Sequence, residues 1–129
     1  MLILTLILAT ITALTHFYIF FLEVPAFGTD KFRQVFRIPA HELLQVKPYF
    51  NNLGVYNLAL ALSATLGILL HTAANTVYLY GMANGLLFTA LLTATAAGSY
   101  LAATAPDKRR AALIQAGPAF LGLLFLAFM

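Results

Sequence analysis

Two ionisable side chains, His16 and Glu23, close the first apolar run of the chain, in the stretch His16-Phe17-Tyr18-Ile19-Phe20-Phe21-Leu22-Glu23. A charge at the middle of a membrane-spanning helix costs about 2.5–3.5 kcal/mol on insertion scales, so such residues inside an apolar run point to a site. Histidine can act as acid or base with a carboxylate to orient it, or the roles can be exchanged. A spacing of seven residues puts both on one helix face, about 10 Å apart along the axis. That exceeds hydrogen-bond reach, so joint chemistry requires a water or a ligand between them. One spanning His and one spanning Glu are too few for a stable transition-metal site, which takes three or four ligands, unless two protomers of a homo-oligomer share it. No metal and no cofactor is implied.

The elements that carry this pair must be transmembrane. The chain is 62% hydrophobic and 9% charged, against roughly 25% charged in soluble domains. Cysteine is absent, which excludes disulfides, thiolate metal sites and cysteine nucleophiles. Tryptophan is also absent, so Tyr and Phe must supply any interfacial belt. All Lys and Arg fall in two places, Lys31 to Lys47 and Lys108 to Arg110. Basic runs beside apolar spans are a topology signal and exclude nucleic acid as the partner.

The sequence predicts an all-α membrane protein: a four-helix transmembrane bundle forming a single domain over residues 1–129. The spans are about 2–24, 51–72, 77–104 and 111–128, with an amphipathic interfacial connector at 25–50. The first run has no basic start and is too long for a signal core, so it reads as a retained span. Its Thr5, Thr12, His16 and Glu23 make one stripe, which must face protein or water. Pro25 and Gly28 stop the first helix, and Thr29 or Asp30 caps a short one to about Arg37, with Phe32, Val35 and Phe36 on its apolar side. Leu43, Leu44 and Val46 mark a further turn before Lys47-Pro48. The connector reads as a linker in the headgroup region or as a lid over the bundle. In the second span Asn52, Tyr56, Ala59, Ser63 and Gly67 share a face. His71 reads as a solvated loop residue. Gly81 and Gly85 form a GxxxG pair that permits close approach. In the fourth span Gln115, Ala119, Gly122 and Leu126 share a face, and the internal Pro118 predicts a kink.

The positive-inside rule puts residues 25–50 and 105–110 in the cytoplasm and both termini outside. Glu23, Asn52, Tyr56, Tyr100 and Gln115 then lie near the cytoplasmic boundary, with His16 and Asn57 deeper from the same side. These seven residues, from four helices, define an expected polar chamber. Within it, His16 with Asn57, and Glu23 with Asn52 or Gln115, are natural pairs.

Three motifs carry a family resemblance. They are H-x-Y-I-x-x-L-E at His16 to Glu23, N-x-G-x-Y-N at Asn52 to Asn57, and Q-x-G-P-A at Gln115 to Ala119. Together they resemble domain-of-unknown-function family 1304, small four-span membrane proteins of bacteria and fungi. Leu53 stands where the family often has Gln, and Phe27 where it often has Trp. The resemblance implies a fold and supplies no activity; the expected location is the bacterial plasma (inner) membrane.

Several functions stay open. The polar groups can bond one another and fix helix register in a structural or accessory subunit. They can bind a small amphiphilic molecule entering from the bilayer. Glu23 can couple protons or cations in a small exporter, although it lies close to the interface. His16 and Glu23 can be the working pair of a membrane-embedded enzyme. The chain lacks the arginine-rich second span of four-span eicosanoid and glutathione enzymes, and enzymatic activity is the less favoured reading.

Overall fold

The computed structural model describes residues 1–128, so position 129 of the expected domain lies outside the described residues. Four helices are long and apolar enough to cross a membrane. They are α1 (Leu2–Glu23), α3 (Leu43–Ala73), α4 (Val77–Thr104) and α5 (Arg109–Ala127). A short helix α2 (Asp30–Phe36) lies between α1 and α3, and single 3₁₀ turns at Ala40–Glu42 and Pro106–Lys108 precede α3 and α5. The chain is an all-α integral membrane protein, with no strand among the described residues.

The four long helices form an up-and-down ring in the order α1, α3, α4, α5, with α5 closing onto α1. Among the described residues, ten of the fourteen buried hydrophobic ones are alanines. Lipid tails are as apolar as leucine, so helices in a bilayer associate through close packing of small residues and not through hydrophobicity. Ala9, Leu87, Leu91, Ala94 and Ala119 form one core cluster, and Ala13, Ala64 and Ala90 a second. Gly98 marks a close approach of α4 to α5: a Cβ there would meet Ala116 Cβ at 2.7 Å and the Ala112 carbonyl at 3.0 Å. Spanning-helix hydroxyls are largely turned back onto their own backbone, as with Thr12 to the Leu8 carbonyl (2.9 Å) and Thr95 to the Leu91 carbonyl (2.7 Å).

Two elements differ from the sequence expectation. The second long helix starts at Leu43 and runs unbroken through Pro48. Proline removes one ladder bond, to the Leu44 carbonyl, and Leu44 is highly exposed, so that carbonyl sits in a region where other partners can reach it. His71 is not a solvated loop residue. It lies in the last turn of α3, buried, with its ring packed edge-on against Tyr80 at 5.2 Å.

The connector crosses the end of the bundle. Thr29 caps α2 by accepting from the Phe32 N–H. Phe32 is fully buried and packs with Phe27, Phe36 and Phe50, centroids 4.6–4.9 Å away, which ties α2 to the turn after α1 and to α3. On the other side, Lys108 Nζ donates to the Val35 carbonyl at 3.0 Å and Arg37 pairs with Asp107 at 3.2 Å. Gly28 (φ +77°), just before the Thr29 cap, and Arg37 (φ +59°), just after α2, are left-handed.

Candidate functional site

The α1 stripe faces the protein: Thr5, Thr12, His16 and Glu23 are all buried. His16 is 0% exposed. Its Nδ1 lies 2.9 Å from the Thr12 carbonyl, which can only accept, so Nδ1 carries the proton. Nε2 is then an acceptor, and the Gln115 side-chain amide of α5 donates to it at 3.4 Å. Both ring nitrogens are engaged, one within α1 and one across to α5.

Glu23 is 4% exposed and ends α1. Its Oε2 accepts from Asn57 Nδ2 of α3 at 2.8 Å. Asn57 also donates to the Leu53 carbonyl at 3.1 Å, so both of its amide hydrogens are used. The helices can come this close because Gly54 faces the end of α1. A Cβ at position 54 would collide with Val24 and lie 3.2 Å from Glu23 Cβ.

The pairing therefore differs from the natural pairs read from sequence. His16 bonds Gln115 and not Asn57, and Glu23 bonds Asn57 and not Asn52 or Gln115. The cause is antiparallel register. With Asn57 opposite Glu23, seven residues back along α1 is seven forward along α3, which is Ala64. Ala64 does pack beside Ala13, one turn before His16. No polar group on α3 can stand opposite His16, and α5 supplies one.

Three of the expected chamber residues lie elsewhere. Tyr56 is 66% exposed, Tyr100 is 72% exposed, and Asn52 is also exposed. The buried stripe of α3 is Gly54, Ala61, Ala64, Gly67 and His71, with Asn57 at its edge. That stripe is rotated by about a third of a turn from the face read as Asn52, Tyr56, Ala59, Ser63 and Gly67. The polar array comprises His16, Gln115, Glu23 and Asn57, in two separate pairs. Gly81 and Gly85 are likewise exposed, and no neighbour lies within 4 Å of the position a Cβ would take at either.

Two apolar grooves of about 310 Å³ lie on the sides of the bundle, one bordered by Ile3, Ile7 and Ile11 and the other by Leu14, Phe17 and Ile68. Neither borders His16, Glu23, Asn57 or Gln115. Among the described residues no three His, Cys, Asp or Glu side chains gather as metal ligands. Reasoning from sequence missed the Thr12 carbonyl as the partner of His16, and missed Gly54, whose place inside N-x-G-x-Y-N was the available signal.

No curated protein and no solved structure matches the chain. The family model described as "Protein of unknown function (DUF1304)" matches residues 10–127 and takes in all three polar motifs. The chain belongs to the DUF1304 family.

Proposed function

We propose that the chain is a small structural or accessory protein of the membrane, in which the polar pairs hold four helices in register. The observation that carries this reading is that His16 has both nitrogens engaged by the protein while Glu23 is bonded across to Asn57. Interhelical hydrogen bonds of this kind contribute about 0.6 kcal/mol each on average in a bilayer, so the two pairs bias the register that the close packing of small residues sets. The proposed setting is the bacterial inner membrane, with the connector and the 105–110 turn in the cytoplasm and both termini outside, supported by the confinement of Lys and Arg to those two segments.

One observation favours a second reading, binding of a small amphiphile. Glu23 Oε1 accepts no hydrogen bond among the described residues, and it is not among the enclosed unpaired atoms. That oxygen is free to accept from a ligand with an N–H or O–H head.

Mass spectrometry of what co-purifies in mild detergent separates the two. The structural reading expects bulk lipid only, and equal lipid content in Glu23→Gln. A stoichiometric small molecule that is lost in Glu23→Gln overturns it in favour of the second. Orientation is tested with impermeant maleimide, for which a cysteine-free chain gives no background. Asn75→Cys is expected to label on intact cells and Gln34→Cys only after lysis, and the reverse pattern overturns the orientation.

A further inference from the structure

The length of α3 raises a question that the polar pairs do not answer. At 1.5 Å per residue, the 22 residues of α1 measure about 33 Å, enough to cross a hydrocarbon core of about 30 Å. Glu23 therefore marks one boundary of that core. Gly54 and Asn57 of α3 sit at this level, because they touch Val24 and Glu23. Everything before Gly54, from Leu43 onward, projects past the end of α1. Lys47 stands seven residues from Gly54, about 10 Å beyond the boundary, at the level where phosphates lie.

The same end of the molecule collects the charge. Residues 25–50 and 105–110 hold all seven Lys and Arg against three acids, Asp30, Glu42 and Asp107. The Arg37–Asp107 pair and the Lys108 bond to the Val35 carbonyl join the two segments into one surface. Arg33 is neutralised by Asp30, and Arg109 donates to the Ala102 carbonyl. Lys31, Lys47 and Arg110 remain exposed, with no side-chain hydrogen bond or ion pair among the described residues. Exposed apolar side chains share this end of α3: Leu44 lies one turn before Lys47, and Tyr49 lies on another face. A surface that mixes free cations with exposed apolar groups fits the boundary between headgroups and acyl chains.

We propose that this end of the molecule is a binding surface for anionic lipid headgroups, with Lys31, Lys47 and Arg110 as the cations that meet the phosphates. Each basic residue near such a surface is worth roughly a fivefold change in binding. The test is native mass spectrometry of the full chain in detergent, titrated with phosphatidylglycerol and phosphatidylcholine. The wild type is expected to prefer phosphatidylglycerol, and the preference is expected to weaken with added salt. It should fall about fivefold for each of Lys31→Gln, Lys47→Gln and Arg110→Gln, and survive in the charge-balanced Asp30→Asn/Arg33→Gln variant. Equal binding of the two lipids by the wild type overturns the proposal, as does a salt-independent preference. A preference that persists in the triple Gln variant, or soluble polyglutamate binding as tightly as phosphatidylglycerol, overturns it as well. The salt titration uses only the wild type, so it decides even if a variant fails to fold.

Discussion

Asn57 Nδ2 donates both to Glu23 Oε2 on the neighbouring helix, 2.8 Å away, and to the Leu53 carbonyl one turn back on its own helix, 3.1 Å away. The amide is thus held by α3 in the orientation in which it meets α1. Losing it should cost about 0.6–1.7 kcal/mol, the range measured for interhelical bonds in bilayers. Asn57→Asp should cost more, because it sets one carboxyl against another. Glu23→Gln keeps an acceptor and should stay near wild type. Thermal unfolding in micelles is expected to rank wild type and Glu23→Gln above Asn57→Ala, and Asn57→Ala above Asn57→Asp. Equal stability of the last two would show that the pair does not form.

The His16–Gln115 contact makes a different prediction, because an unpaired buried group costs more than a pair removed whole. Gln115→Leu leaves His16 Nε2 without a donor and is expected to destabilise by about 1–3 kcal/mol. The His16→Leu/Gln115→Leu double variant should be less damaged than the sum of the two single changes. Additive losses in the same unfolding assay would argue that the residues do not interact.

Glycine substitutions distinguish the used from the unused close approaches. Gly54→Ala drives a methyl into Val24 and is expected to cost about 1–3 kcal/mol, the usual penalty of overpacking. Gly85→Ala meets open space and should be neutral or slightly stabilising, since alanine favours the helix by about 1 kcal/mol over glycine. Comparing the two in one detergent checks the α1–α3 contact directly.

Arg37 combines a left-handed backbone with an exposed ion pair to Asp107. Exposed pairs contribute about 0.2–1 kcal/mol, and a left-handed conformation costs a non-glycine residue roughly 1–2 kcal/mol. Arg37→Gly relieves the second while losing the first, so it should be more stable than Arg37→Ala by about 1 kcal/mol. Hydrogen exchange of the α2 amides gives the readout. Faster exchange in Arg37→Gly than in Arg37→Ala would contradict it.

The spans were legible in the sequence because hydropathy reports length and apolarity, and α4 illustrates this from Val77 to Thr104. Helix rotation was much less so. In water the apolar face of a helix is its packing face, but in a bilayer both faces are apolar and only residue size distinguishes them. On α3 the small residues Gly54, Ala61 and Ala64 turned inward while Tyr56 turned outward, although Tyr56 adjoins Asn57 in the motif. The α1 stripe was read correctly because its polar members included two ionisable residues, which lipid does not tolerate. Their partners depended on the antiparallel register of α1 and α3, which no local pattern in either helix encodes.

The ring of helices consists of two hairpins, α1 with α3 and α4 with α5, each closed by its own basic segment and joined covalently through Ala74–Thr76. Glu23–Asn57 lies within the first hairpin, whereas His16–Gln115, Arg37–Asp107 and the Lys108–Val35 bond all run between the two. Recognition between the halves is thus written in side chains and in the α3–α4 and α1–α5 packing, and the three-residue tether adds proximity alone. The polypeptide is therefore expected to be divisible: fragments 1–74 and 75–129, made separately in one membrane, should co-purify, and failure to do so would show that the tether is needed.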